Sequence, residues 1–490
     1  MQKEILSLSK NTLIYGLGHI LARAVTFLLL PLYTNVFTPD EYGIISLAYV
    51  IMGFMSVVMH YGLDAALMKR YIQSDLTEKT IYFSSAWVSF FITSILFGMI
   101  ITLFRKFFSP ILLGTNDDRL ILLVGWIIAL DVMWSIPQLI FRAEDKPFAY
   151  IVFSLINVIG SLLLNILFVL QFKMGVYGVL LSNFIISTIL FIVTIPFIYN
   201  RINFKKASIY SWRKMMKFGL PLLPSGVFAM MMELADRYIL KQMTDLYTVG
   251  IYSSGYKLGM LMMLIVMGFN MAWQPFFLKM GGENEYKPLY ARINSYVFAL
   301  LGFIWVILLL WVDNIVRMKF GGISLYGEQY WSSTLIVPWI SLGYVFYGLY
   351  LMQLPGVFHQ EKSLWIAISR AIGAISNIIF NLYLIPIYGG QGAAIATCIS
   401  FIIMFIIMFM VNSRLFPISY EWGRIIRIMF TMGIISFLYY ISSHDYTNKF
   451  ILTLYYPFAL LLTGFLYKSE IKIIKKTINI WPKEQKRQHS

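Results

Sequence analysis

Hydrophobic positions along this chain come in long blocks separated by short polar or glycine-rich stretches. Asn11–Tyr33, Gly43–Leu67 and Ile81–Phe104 open the series. Leu120–Phe141, Phe148–Leu170, Val176–Tyr199, Lys217–Ile239 and Val249–Leu278 continue it. Leu289–Val312, Trp331–Met352, Leu364–Ile385, Gly392–Val411, Ile425–Ser443 and Phe450–Tyr467 complete it. A helix needs ~20 apolar residues to cross the hydrocarbon core, so each block predicts a transmembrane helix. Backbone groups in lipid must be satisfied within the segment, and the alternation of a membrane barrel is missing. The expectation is an all-α polytopic membrane fold of about fourteen transmembrane helices. Pro275, near the end of the eighth block, predicts a kink. The first block runs into Thr34-Asn-Val-Phe-Thr-Pro-Asp-Glu41 and not a small-residue cleavage site, so no cleavable signal peptide is expected.

Composition agrees with the pattern. Hydrophobic residues make up 59% of the chain and charged residues 13%, where an ordinary soluble domain carries roughly 25% charged. The net charge of +16 raises the question of nucleic acid, but no recognition motif accompanies it and its distribution points elsewhere. Of the 39 Lys and Arg, 27 fall in the N-terminus, alternate loops and C-terminal tail, against 9 in the other loops. This bias predicts cytoplasmic termini and an even number of spans. The mid-chain loop with Arg201, Lys205, Lys206, Arg213, Lys214 and Lys217, and the basic tail, suit contact with anionic membrane lipid. The lone Cys398 excludes an intrachain disulfide and a Cys-based metal site. The loops are too short for a soluble catalytic domain, and neither a Walker-type segment nor an Asp-x-Asp pair is present. No cofactor, metal or enzymatic activity is expected.

An internal repeat organises the blocks. Thr38-Pro-Asp-Glu-Tyr-Gly-Ile-Ile-Ser46 reads like Asp245-Leu-Tyr-Thr-Val-Gly-Ile-Tyr-Ser253, aligning Gly43 with Gly250, Ser46 with Ser253 and Tyr49 with Tyr256. Phe141-Arg-Ala-Glu-Asp-Lys146 likewise reads like Phe358-His-Gln-Glu-Lys362, and Asn165 then aligns with Asn381. Gly-rich turns follow in both copies, Gly175-Val-Tyr-Gly178 and Gly389-Gly-Gln-Gly392. An even number of spans per copy makes the repeat parallel, related by an axis along the membrane normal. The expected organisation is an N-terminal six-helix lobe at 1–200, a second at 201–412, and two extra helices with a basic tail at 413–490.

The opening Leu8-Ser-Lys-Asn-Thr-Leu-Ile-Tyr-Gly-Leu-Gly18 leads to Pro31-Leu-Tyr-Thr-Asn-Val-Phe-Thr-Pro-Asp-Glu-Tyr-Gly43. Together with Phe218-Gly-Leu-Pro-Leu-Leu-Pro-Ser225, Ala235-Asp-Arg-Tyr-Ile-Leu240 and the Glu144-Asp-Lys146 loop, this resembles the polysaccharide-biosynthesis, or oligosaccharide flippase, family. That family belongs to the multidrug/oligosaccharidyl-lipid/polysaccharide exporter superfamily. The resemblance implies a V-shaped pair of six-helix bundles around a central cavity. The implied cargo is an undecaprenyl-diphosphate-linked oligosaccharide, moved from the cytoplasmic to the periplasmic leaflet of the bacterial inner membrane for O-antigen or capsule synthesis. A polysaccharide polymerase and chain-length machinery are implied partners. In some relatives two extra C-terminal helices help to hold the lipid tail.

Charges inside spans are the candidate chemistry, since a charge at mid-bilayer costs roughly 2.5–3.5 kcal/mol on insertion scales. Arg23, Lys257 and Arg370 are the substrate-binding candidates, because a diphosphate needs fixed cations. The repeat partners of Lys257 and Arg370 are Val50 and Ser154, so the shared scaffold does not account for them. His19 shares a helical face with Arg23, and His60 with Asp64. Asp64 and Asp131 are candidates for ion coupling, with structural pairing as the alternative, for Asp64 to Lys69 or Arg70. Glu233, Asp236 and Arg237 cluster in one turn, and Glu233 with Arg237 has the favourable i,i+4 order for a salt bridge. Asp236 is then left as a gate or ion ligand. Tyr344, Tyr347 and Tyr350 form a stripe suited to helix packing or to sugar contact. The rival functions are a cation-coupled multidrug antiporter, which needs cavity carboxylates, and a membrane polymerase or glycosyltransferase.

Overall fold

The computed structural model describes residue 27 and residues 29–144, 146–280, 284–321, 323–467 and 470. Among these, eleven helices are long and apolar enough to cross a membrane, in an otherwise all-helical chain. The exception among the described residues is a short ribbon, Lys319–Phe320 paired antiparallel with Ile323–Ser324. The difference from about fourteen expected spans arises at three places. Most of the first block lies outside the described residues. Two expected spans share the helix Leu364–Leu415, interrupted at Gly389 with φ 55° and ψ −131°. The last block forms the shorter helix Tyr446–Leu462.

The helix Leu261–Met280 continues through Pro275. A one-residue turn at Met260 separates it from Leu246–Gly259, with the Met260 amide still donating to the Tyr256 carbonyl at 2.9 Å. Proline ordinarily costs an intrahelical bond and a clash one turn back. Beside the Met260 turn, Gly259 admits the Ile340 side chain, which a Cβ there would meet at 2.6 Å.

The two repeat copies build the same local structures. Thr38 caps the helix Pro39–His60, accepting from the Glu41 amide in a capping box. At the equivalent position Asp245 caps Leu246–Gly259, accepting from the Thr248 amide at 2.7 Å. Asn165 and Asn381 are both fully buried, and each donates to the carbonyl four residues earlier, Ser161 at 2.7 Å and Asn377 at 2.8 Å. Gly175 and Gly389 both take positive φ, 61° and 55°, which an L side chain would resist. Lys146 and Lys362 close the preceding helices, their amides donating to the Phe141 and Val357 carbonyls at 2.8 and 2.9 Å.

The copies then meet through glycine. A Cβ on Gly43 would collide with the Leu246 carbonyl, and one on Gly250 with the Pro39 carbonyl. The contact is reciprocal, each glycine admitting the first turn of the other helix. A second reciprocal contact joins Gly62 and Gly219 at the opposite end of the bundle, the end carrying the basic loop 201–217. Between these contacts the helices Pro39–His60 and Leu223–Met243 pack along each other.

At the basic end the linker is tied down by polar contacts. Asn203 and Ser208 amides donate to Ser84 Oγ and Ser85 Oγ at 2.8 and 2.9 Å. Glu144 gathers Lys146 at 2.7 Å, Arg201 at 3.0 Å and the Tyr71 hydroxyl at 2.7 Å. Burial pushes the Glu144 carboxyl up, but the hydrogen bonds from Lys146 and Tyr71 and the Arg201 charge outweigh it and hold its pKa below the usual Glu value. The C-terminal hairpin Trp422–Ile441 and Tyr446–Leu462 packs on Lys287–Arg317, with Tyr456 donating to the Ala299 carbonyl at 2.9 Å. Arg424, buried at its base, pairs with Glu421 and Glu470.

Candidate functional site

A cavity of about 370 Å³ lies where the copies face each other. Ser46, Tyr49 and Val50 line it from Pro39–His60, and Ser253, Tyr256 and Lys257 from Leu246–Gly259. These are three repeat-equivalent pairs, one turn beyond the Gly43–Gly250 contact that brings their helices together. Asn183, donating to the Tyr49 hydroxyl at 3.1 Å, adds an amide to the wall. Two pairs are the same or nearly the same residue. The third is Val50 opposite Lys257, and there the symmetry breaks with a charge.

Lys257 is half-buried. Its ammonium sits over the rings of Tyr42 at 5.3 Å and Tyr33 at 6.0 Å. It has no carboxylate within ion-pair distance among the described residues. Ring faces stabilise a cation without neutralising it, so its charge stays available to the cavity. Glu233 shares the same cavity and also has no ion pair among the described residues.

The pairing expected between Glu233 and Arg237 is corrected. Arg237 pairs with Asp236 at 3.0 Å, and donates only to the backbone carbonyl of Glu233, at 2.7 Å. Tyr252 donates to the other Asp236 oxygen, and the guanidinium lies 4.2 Å from the Tyr256 ring. Asp236 and Arg237 are both buried. The i,i+4 rule describes a solvated helix surface; here burial favours the carboxylate that can leave water together with the guanidinium. Asp236 is thereby the neutralised member and Glu233 the free one.

Asp131 accepts from Trp134 Nε1 at 2.8 Å and Ser187 Oγ at 2.6 Å within the first copy, close to His60. His60 bonds Ser135 Oγ at 2.8 Å and the Ser56 carbonyl at 2.6 Å, so it does not pair with Asp64. Asp64 lies in the short helix Leu63–Gln73 beyond the left-handed Tyr61–Gly62 turn, and neither Lys69 nor Arg70 reaches it. Lys69 instead lies over the Phe218 ring at 4.1 Å. Arg370, on Leu364–Leu415, is half-buried and is not among the residues lining the Lys257 cavity. Arg23 and His19 lie outside the described residues. The tyrosine stripe packs in the second copy: Tyr344 bonds the Tyr256 hydroxyl at 3.0 Å, and Tyr347 stacks on Tyr350.

Sequence reading passed over Ser46, Tyr49, Ser253 and Tyr256 as site residues. The repeat alignment matches them in pairs, but their sharing one cavity follows from the close helix crossing at Gly43 and Gly250.

A family model described as polysaccharide biosynthesis protein matches residues 8–281. No curated protein sequence matches the chain. Among solved structures, the lipid II flippase MurJ in an inward closed conformation superposes with a TM-score of 0.74 at 16% identity, covering 94% of this chain and 100% of that one. An inward-facing multidrug resistance MATE family transporter of the MOP superfamily gives 0.65 at 13% identity, covering 81% and 96%. A MOP superfamily transporter from Pyrococcus furiosus gives 0.56 at 13% identity, covering 83% and 95%. At these identities the likeness is one of fold.

Proposed function

Because this chain belongs to the polysaccharide biosynthesis protein family, we propose that it is a flippase for undecaprenyl-diphosphate-linked oligosaccharide. It would carry repeat units from the cytoplasmic to the outer leaflet of a bacterial cytoplasmic membrane, with both termini cytoplasmic, for O-antigen or capsule synthesis. The lobes at 1–200 and 201–412 rock about the glycine contacts to open the cavity to one side at a time. Lys257 receives the diphosphate, with Arg23 and Arg370 as further cations on the route. Glu233 and the Asp236–Arg237 pair gate the second lobe, and Asp131 and Asp64 are ion-coupling positions in the first. The work is transport, with no covalent step.

The observation that supports this reading best is the Val50–Lys257 asymmetry: a duplicated scaffold supplies two matching walls, and one wall alone carries an unpaired cation. An anionic headgroup accounts for such a charge, which lipid and packing do not. The reading is tested in cells by depleting the chain, which should make lipid-linked oligosaccharide accumulate facing the cytoplasm. Unchanged leaflet distribution would remove it.

A second reading, a cation-coupled antiporter for small molecules, rests on Glu233, which places an unpaired carboxylate in the same cavity. It predicts energised uptake of organic cations that Glu233→Gln abolishes and Lys257→Met leaves intact.

A further inference from the structure

A second chamber, of about 600 Å³, adjoins the polar cavity. Its walls come from Pro39–His60, Leu76–Phe108, Asp118–Ala143 and Leu223–Met243. Phe54, Phe97, Ile101, Val124 and Met231 typify the lining, in which the Tyr238 hydroxyl is the sole polar side-chain group. It shares Val50 and Leu234 with the polar cavity, so these two side chains form the partition. Leu234 packs closely on Pro39–His60 here: a Cβ on Gly53 would stand 2.9 Å from the end of its side chain.

The apolar chamber also reaches the outside of the bundle. Ile100 lines it and is 48% exposed. Phe108 and Leu112 place it toward the end of the bundle away from the basic loop. An unfilled apolar space forfeits dispersion contacts on every wall, and hydrocarbon is the filling the lining accepts. The cleft against the C-terminal hairpin, lined by Trp305, Arg317 and Lys449, shares no residue with the polar cavity. A chain attached to a headgroup beside Lys257 therefore has a direct path into the apolar chamber and none into that cleft.

We propose that this chamber holds the first isoprene units of the cargo's polyprenyl chain, and that the chain leaves for the outer leaflet between Leu76–Phe108 and Leu223–Met243. The inference rests on the flippase reading. It assigns the partition residues Val50 and Leu234 to the junction between diphosphate and hydrocarbon. Tethering to the bound headgroup raises the local concentration of those units in the chamber.

The test uses the full chain in vesicles, with a polyprenyl-diphosphate oligosaccharide carrying a diazirine on the isoprene nearest the diphosphate. After photolysis, adducts should concentrate on 97–128 and 231–238, about tenfold over 422–462, and unlabelled cargo should suppress them where phospholipid does not. Adducts confined to 422–462, or spread evenly over lipid-facing helices, would overturn the inference. Transport is measured in the same vesicles. Transport without chamber adducts refutes this inference alone, whereas no transport in any vesicle refutes the flippase reading beneath it.

Discussion

Val50 and Lys257 occupy equivalent positions of a repeat and face each other across one cavity. Around them Ser46 is matched by Ser253, Tyr49 by Tyr256 and Gly43 by Gly250. Lys257 is the lining cation without an ion pair among the described residues, since Arg237 is paired with Asp236. A charge-assisted hydrogen bond to phosphate contributes about 1.5–3 kcal/mol, or about tenfold to a hundredfold in binding. Lys257→Met should therefore lower cargo transport by that factor, while Lys257→Arg keeps much of it. Thermal unfolding in detergent should stay near the wild-type midpoint in both, because Lys257 has no ion pair among the described residues to lose.

The glycine contacts predict a stability effect with an internal control. Gly250→Ala places a methyl group against the Pro39 carbonyl, and backbone cannot step aside cheaply. Overpacking of this kind costs about 1–3 kcal/mol. Gly268→Ala meets no atom within 4 Å, and removing a helical glycine there should be neutral or stabilise by about 0.5–1 kcal/mol. Chemical or thermal unfolding of the two variants should differ in sign or nearly so.

Breaking the buried pair should be costly from either side. Asp236→Asn leaves the Arg237 guanidinium buried without its counter-charge, a loss of about 3–5 kcal/mol. Asp236→Asn combined with Arg237→Met removes both charges and should recover part of that stability. A double-mutant cycle on thermal unfolding measures the recovery; simple additivity would show that the two groups do not act as a pair.

Glu144 makes attachment of the linker pH-dependent. Its pKa is depressed in the folded protein from an ordinary 4.5, so the stability it contributes is present above that value. It is lost as pH falls through the lower folded pKa. Hydrogen exchange across 201–219, corrected for intrinsic rates, should quicken in that acid window in the wild type. Glu144→Gln should exchange faster at neutral pH and lose the acid step.

Much of this architecture was legible because lipid allows so few solutions: apolar blocks gave the helices, and the repeated glycines and asparagines gave matching turns and caps. Bends were harder to read. Pro275 is a strong local signal, yet the helix runs through it and the one-residue turn lies at Met260. Partner choice was harder still. Glu233 and Asp236 both lie within reach of Arg237 in sequence, and only burial against Tyr252 and Tyr256 determines which one pairs. Lys257 stood out in the sequence as a charge without a repeat counterpart; that Ser46, Tyr49, Ser253 and Tyr256 share its cavity follows from the crossing of two helices that sequence spacing does not encode.

The central claim is tested most directly by reconstituting the purified chain into vesicles whose lipid-linked oligosaccharide is distributed over both leaflets. A membrane-impermeant lectin then reports the externally accessible fraction over time. The account predicts that the wild-type chain brings the inner pool to the outside, while Lys257→Met vesicles do so about tenfold to a hundredfold more slowly. Equal conversion by wild type and Lys257→Met, or none by either, would contradict it.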